Sequence, residues 1–429
     1  MSDTNTTLTE SNPDPFVPAQ TLYKNEFPAM GSFVELKDGR LLYVTNGSYV
    51  SDDGGQSWHD QGPLRFAAGG EMKSFHACSL VRLRSGGLGL IHVAATDQNA
   101  WARMLFVRSD DEGETWSTPV PISEPHLDAV SAHHDASTVT SSGRIVVPAY
   151  RHIGRRDFVP DKSTFVAQAL LGDRWSLVGS HDYEPNPLLS WVYYSDDEGQ
   201  TWQRNANGEM MVTLDDEAGG NWSTEEPTVV EYSLGHLLML YRTPLGRLFQ
   251  SWSSDDGTNW TAPRPTALSA SRAPAALKKI PETGDLLVVW NQASGDEVQR
   301  GLLRHRLSAA ISQDGGASWK WHKNIFCIDE DDRSFVEPSP VRHYRADRFS
   351  PRLPLNHCWA TYSAVAIWQE RLILTYVEIR KRMLKTGDTE NLRQKDSGHY
   401  SMAVPLSWLY EKCDTSRVRA SQVGAGRPV

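Results

Sequence analysis

One octet, of the form Ser-x-Asp-x-Gly-x-(Thr/Ser)-Trp, occurs five times in the 429 residues. The copies are SDDGGQSW at 51–58, SDDEGETW at 109–116, SDDEGQTW at 195–202, SSDDGTNW at 253–260 and SQDGGASW at 312–319, with Asn259 the one lapse at the seventh position. An Asp in this frame can hydrogen-bond the amides that follow it, Gly supplies positive φ, and Trp buries a large ring beneath the loop. Each octet therefore predicts a hairpin turn.

Upstream of each octet lies a second repeat: an apolar run, a polar turn and another apolar run. The copies are SFVELKDGRLLYV, SLVRLRSGGLGLIHV, STVTSSGRIVVPAY, TVVEYSLGHLLMLYR, ALKKIPETGDLLVVW and SAVAIWQERLILTYVE, the last with Gln369-Glu370 where the others have Gly. The runs are short, alternating and rich in β-branched residues, as strands are. Six hairpins with five octets imply six similar units of about four strands. Octet starts are 58, 86, 58 and 59 residues apart. The long step holds a single hairpin, so residues 152–190 read as a loop insertion within a unit.

The expected fold is all-β: a six-bladed β-propeller of four-stranded antiparallel blades over residues 18–412. Length alone would suggest roughly three domains at about 150 residues each; the repeats gather them into one. Residues 1–17 are expected to be disordered, and 413–429 to be a flexible tail.

Composition narrows the partners. Net charge is -10 (43 Lys+Arg against 53 Asp+Glu), and an acidic field repels phosphate backbones, which argues against nucleic acid. No apolar run is long enough to span a membrane, and the polar start MSDTNTTLTESNPDP has no secretory pattern, so a cytoplasmic protein is expected. Cys78, Cys327, Cys358 and Cys413 are scattered, with no metal spacing and too few for a disulfide framework. No phosphate loop or dinucleotide fingerprint occurs, so no cofactor and no metal are expected.

The octet is the Asp-box, and the pattern over residues 20–410 resembles the sialidase superfamily, whose members are six-bladed propellers built from such BNR repeats. The resemblance implies an exo-acting glycoside hydrolase that cleaves a terminal acidic sugar from a glycan. Sialidases hold the substrate carboxylate with three arginines, protonate the leaving oxygen with an Asp, and attack with a Tyr assisted by a Glu. Bidentate guanidinium matches a carboxylate, and a Tyr nucleophile avoids the repulsion a carboxylate would meet.

Carried onto this chain, the Glu of EEPTVVEY is Glu226, with Glu225 as the register alternative. Arg242, ending the same hairpin, matches the second clamp arginine. Arg304 in RHRLSAAISQDGG resembles the third, with Arg306 competing for the role. Tyr362, before the last hairpin, resembles the nucleophile, and Asp97, twelve residues before an Asp-box serine, the acid/base. The stretch LYKNEFPAMGSF, where the first clamp arginine would lie, contains none; Lys24 can stand there as a point charge without the bidentate contact.

A second constellation is His76 before the second hairpin, His133, His134 and Asp135 before the third, and Arg151 and His152 at its end. A neutral His as base near pH 7 with an Arg on a uronate carboxylate would suit β-elimination. The alternative is thus a lyase or hydrolase on uronic-acid-containing glycans, rhamnosyl-glucuronate among them, using His76 or His134 with Arg151. Adjacent histidines on a strand point to opposite faces, which argues against zinc. A third reading is a non-catalytic propeller that binds glycans or proteins.

Overall fold

The structure, a computed structural model, describes Leu8–Thr9 and residues 21–72, 75–95, 102–124, 130–152, 159–160, 167–171, 174–178, 188–214, 220–328, 333–346, 357–380, 382–383, 389–390 and 397–411. Six antiparallel sheets form a six-bladed propeller. Blade one comprises Ser32–Glu35, Leu41–Val44, Ser48–Ser51 and His59–Gly62; blade two Phe75–Arg82, Leu88–Ala95, Ala102–Ser109 and Val120–Pro121. In blade three the innermost strand is split into Val130–Ser131 and Thr138–Val139, both paired with Ile145–His152; Leu188–Ser195 and Gln203–Arg204 follow. Between them, Val159–Pro160, Ala167–Leu171 and Arg174–Val178 form a small sheet of their own.

Blade four is Glu225–Ser233, His236–Arg242, Arg247–Ser253 and Arg264–Ser269; blade five is Ala276–Lys279, Leu286–Asn291, Arg306–Ser312 and Lys320–Cys327. Blade six takes Cys358–Trp368, Arg371–Arg380 and Ser397–Pro405 from the end of the chain and Thr21–Asn25 from its beginning. The ring is therefore closed by hydrogen bonds between the two ends. Gln369 and Glu370, in place of Gly, still take φ of 45° and 61° in the last hairpin turn.

All five octets fold alike. The serine Oγ donates to the Asp and accepts from the amide of the fifth residue, the Gly. The Asp accepts from the amide of the seventh residue with one oxygen and from its side chain with the other. Asn259 breaks the sequence pattern but not this one: its amide nitrogen donates to Asp255 at 2.7 Å, where the others use a hydroxyl. Asn259→Thr is therefore expected to be nearly neutral. Asn259→Ala should cost about 1 kcal/mol, the net worth of one such bond, measured by chemical denaturation.

The same bonds set an acid limit. Burial raises Asp53, Asp111, Asp197, Asp255 and Asp314, but the hydrogen bonds they accept lower them further, to a net value below the ordinary one. Carboxylates lowered by folding stabilise the folded state above their unfolded pKa, and that contribution fades as pH falls through the folded values. Denaturation midpoints should thus be flat near neutrality and fall below about pH 4, five loops losing their hold in the same window.

In three of the octets the fourth residue clips its blade to the one before; in the first and last it is Gly54 and Gly315. Glu112 accepts from the Lys37 amide at 2.9 Å, Glu198 from the Ser85 amide at 2.7 Å, and Asp256 from the Ser142 hydroxyl at 2.5 Å, each at the preceding blade's hairpin turn. Apolar packing follows the same logic. One hydrophobic cluster fills each blade-to-blade interface, and five of them take in an octet tryptophan: Trp58, Trp116, Trp202, Trp260 and Trp319. Blade six has no octet. In its place, after the third strand, the short helix Leu406–Tyr410 brings Trp408 into the interface of blades five and six. Among the described residues no helix is long and apolar enough to cross a membrane.

Candidate functional site

Hairpin turns and octets lie at one end of the ring. The other end collects the starts of first strands, the ends of second strands and the starts of third strands. That end holds the chemistry, because polar side chains there converge on the axis from several blades.

At the centre is Asp135, buried and left-handed (φ 53°) in the break of blade three's inner strand. Its carboxylate accepts from Ser32 Oγ at 2.7 Å in blade one, Lys278 Nζ at 2.8 Å in blade five and the Val365 amide at 2.9 Å in blade six. Ser32 Oγ in turn accepts from the Leu80 amide in blade two, and the Val229 amide of blade four donates to the Ala136 carbonyl. A single carboxylate thus anchors a polar ring that reaches all six blades.

Glu226 and Tyr362 share its backbone conformation, at φ 41° and 58°. Each sits at a bulge, between Glu225 and Thr228 in one strand and between Thr361 and Ala364 in the other. Left-handed, non-glycine residues cost free energy and persist where the surroundings over-determine them, typically at functional sites. Here the extra residue of the bulge re-aims the side chain toward the axis.

Glu226 pairs with Arg242 Nη1, and Arg242 Nε also lies 3.2 Å from Glu225. Glu225 accepts further from Arg272, with Nε at 2.9 Å. Arg272–Glu225–Arg242–Glu226 is thus a charge-balanced chain, in which Glu225 and Arg242 are at most 2% exposed. Burial alone would lower Arg242; Glu226, Glu225 and Tyr362 raise it instead, so it stays charged. Arg304 lies on the other side of Tyr362. It donates to Thr361 Oγ1 at 2.8 Å, and its guanidinium carbon stands 4.7 Å from the centre of the Tyr362 ring and 5.7 Å from that of Trp359. No carboxylate pairs with Arg304 among the described residues, whereas Arg306 points the other way and binds Glu297 at 3.1 Å.

His133 and His134 complete the group. Their ring centres are 4.0 Å apart, and they lie 6.1 and 6.0 Å from the Tyr362 ring. Burial, against a hydrogen bond to the His134 carbonyl and with Arg242 and Arg304 adding to it, lowers His133 to about 3. Burial also takes His134 well below its usual value, with His133 adding to the effect. Both imidazoles are neutral at physiological pH. Tyr150, whose hydroxyl burial and the Glu226 charge push up, lies alongside.

Of the residues read from the sequence, the structure brings together Glu226, Arg242, Arg304, Tyr362 and His134. It places Lys24 on the fourth strand of blade six, exposed and opposite Tyr400, three strands out from Tyr362. Arg151 is half-buried at the end of its strand; alternation turns it away from Tyr150, toward Glu209. His76 lies in the first strand of blade two, paired with Val93, but its side chain and that of His152 fall outside the described residues, as do Asp97 and the segments 1–7 and 412–429. Sequence reasoning missed Tyr150, Arg272, Lys278 and Thr361. Arg272 and Lys278 flank the opening of the fifth hairpin in SRAPAALKK, as Glu225 and Glu226 open the fourth, and that shared position was a usable signal.

A family model described as "BNR repeat-like domain" matches residues 48–373, about three quarters of the chain. The chain belongs to the BNR repeat-like domain family. No curated protein matches it. Among solved structures it is similar to a Hadza microbial sialidase, at 15% identity and a TM-score of 0.53, over 88% of this chain and 65% of that one. A Trypanosoma rangeli sialidase in complex with sialic acid matches at 14% identity and a TM-score of 0.52, over 94% of this chain and 58% of that one. A protein of unknown function from Dyadobacter fermentans matches at 16% identity and a TM-score of 0.51, over 89% and 96%. The chain thus spans less than two thirds of the two sialidases. At such identities the likeness is one of fold.

Proposed function

We propose that this BNR-repeat propeller is an exo-acting glycoside hydrolase that releases a terminal acidic sugar. What supports it is that Glu226, Arg242, Arg304 and Tyr362, from three different blades, meet around one partly exposed tyrosine. In this reading Tyr362 attacks the anomeric carbon, Glu226 takes its proton, and Arg304 holds the substrate carboxylate between Thr361 and the aromatic rings. Asp97 supplies the proton to the leaving oxygen. The sialidases among the structural neighbours point to the same substrate class.

The uronate-lyase alternative asks a histidine to accept a proton near neutral pH. His134, which burial takes well below its usual value, is a poor base there, which weighs against elimination through it; the side chain of His76 lies outside the described residues. The deciding assay offers aryl sialosides and aryl uronides to the wild-type protein and follows both aryl alcohol release and the ultraviolet absorbance of an unsaturated uronate. Release without the chromophore supports hydrolysis, the chromophore supports elimination, and binding without turnover supports a lectin-like propeller.

A further inference from the structure

We propose that His133 and His134 form a paired hydrogen-bond acceptor that reads the hydroxyl groups of the bound sugar, rather than a base. The inference rests on the reading of this end of the axis as a sugar site, and it adds two recognition residues that the nucleophile and clamp do not require.

Ring geometry carries it. His133 Nδ1 lies 2.9 Å from the His134 carbonyl oxygen, which can only accept, so that nitrogen carries the proton and Nε2 keeps its lone pair. A neutral His134 likewise keeps a lone pair on one ring nitrogen, its ring centre 4.0 Å from that of His133. In both residues Nε2 is buried and has no partner among the described residues. Two buried, unpartnered acceptors side by side are costly, about 1–3 kcal/mol each, unless a ligand donor completes them. The groups around them decide what that donor is. Arg242 and Arg304 are cations and exclude a metal ion or ammonium group, while the Glu226 carboxylate is already engaged by Arg242. Tyr362, Tyr150 and Asp135 complete the surroundings, with Asp135 held by Ser32, Lys278 and Val365. A neutral hydroxyl is the donor that fits. Two hydroxyls of one sugar satisfy both.

A site built to bond a hydroxyl rejects an analogue lacking it far more strongly than a merely apolar pocket would, by up to about 10⁴-fold. The structure thus assigns sugar discrimination to the histidine pair and charge recognition to Arg304.

The test uses full-length protein labelled with ¹⁵N at histidine and four probes: N-acetylneuraminate, glucuronate, galacturonate and neutral glucose. Long-range ¹H–¹⁵N spectra should show both Nε2 atoms unprotonated in the free protein from mildly acid to neutral pH. Both resonances should shift on addition of at least one probe, and His133→Gln and His134→Gln, which return an acceptor at the Nε2 position, should keep binding within about tenfold where the Phe variants lose it. A proton on either Nε2 in the free protein, silence toward all four probes, or Gln variants as defective as Phe variants overturns the proposal. Failure of the hydrolase reading looks different: the imidazole shifts and Gln rescue remain, while no aryl glycoside is turned over.

Discussion

Tyr362→Phe should abolish turnover of any aryl glycoside the wild type accepts, by at least about 10³-fold in kcat, while leaving sugar binding and thermal unfolding nearly unchanged. The substitution removes one oxygen from a partly exposed ring. It retains the face that Arg304 stacks on and the bulge that holds residue 362 at φ 58°. A nucleophile and a structural tyrosine are thereby separated: loss of turnover with unchanged KM marks chemistry, whereas a parallel fall in stability marks packing. If Tyr362→Phe retains full activity, a covalent role for the tyrosine is excluded. Glu226→Gln is a weaker probe, because it also unbalances the Arg242 ion pair.

The second large effect concerns stability. Asp135→Ala removes the acceptor for Ser32, Lys278 and the Val365 amide at once, leaving a partly exposed lysine ammonium and a buried amide without their partner. Orphaning the buried amide costs about 1–3 kcal/mol and losing the partly exposed ion pair adds less, read from denaturant unfolding. Asp135→Asn is the informative companion. It retains an acceptor oxygen and tolerates the left-handed backbone, so it should recover part of the loss. Should the two variants be equally mild, the axial carboxylate does not hold the ring together.

Much of the architecture was legible because repeats are a statement about period, and period is what a sequence displays most directly. Six hairpins and five octets foretold six blades. The closure of blade six was less visible: Thr21–Asn25 is a five-residue strand whose partner is almost 380 positions away, and nothing local announces it. Trp408 escaped notice because a helix, not an octet, delivers it. At the site, residues carried over from a family motif landed together when they lay at strand ends, as with Glu226, Arg242, Arg304 and Tyr362. Lys24 did not, because its strand lies three strands out from that of Tyr362. The choices between Glu225 and Glu226 and between Arg304 and Arg306 were open in the sequence: a one-residue shift reverses the face in the first pair, and alternation does not separate the second, two residues apart. A bulge at Glu226 and the pairing of Arg306 with buried Glu297 set the members of each pair apart, and both are tertiary facts.

Joining the first described blade strand to the last has a consequence for biosynthesis. A ribosome delivers Thr21–Asn25 early, with only Leu8–Thr9 to pair with, and Ser397–Pro405 far later, so its place in blade six waits for most of the chain. Contacts so distant in sequence form late. Blades one to five can assemble as they emerge, leaving an open arc with an unpaired edge on blade six until the last strand is made. During that interval the exposed edge is a place where a nascent chain can meet another copy.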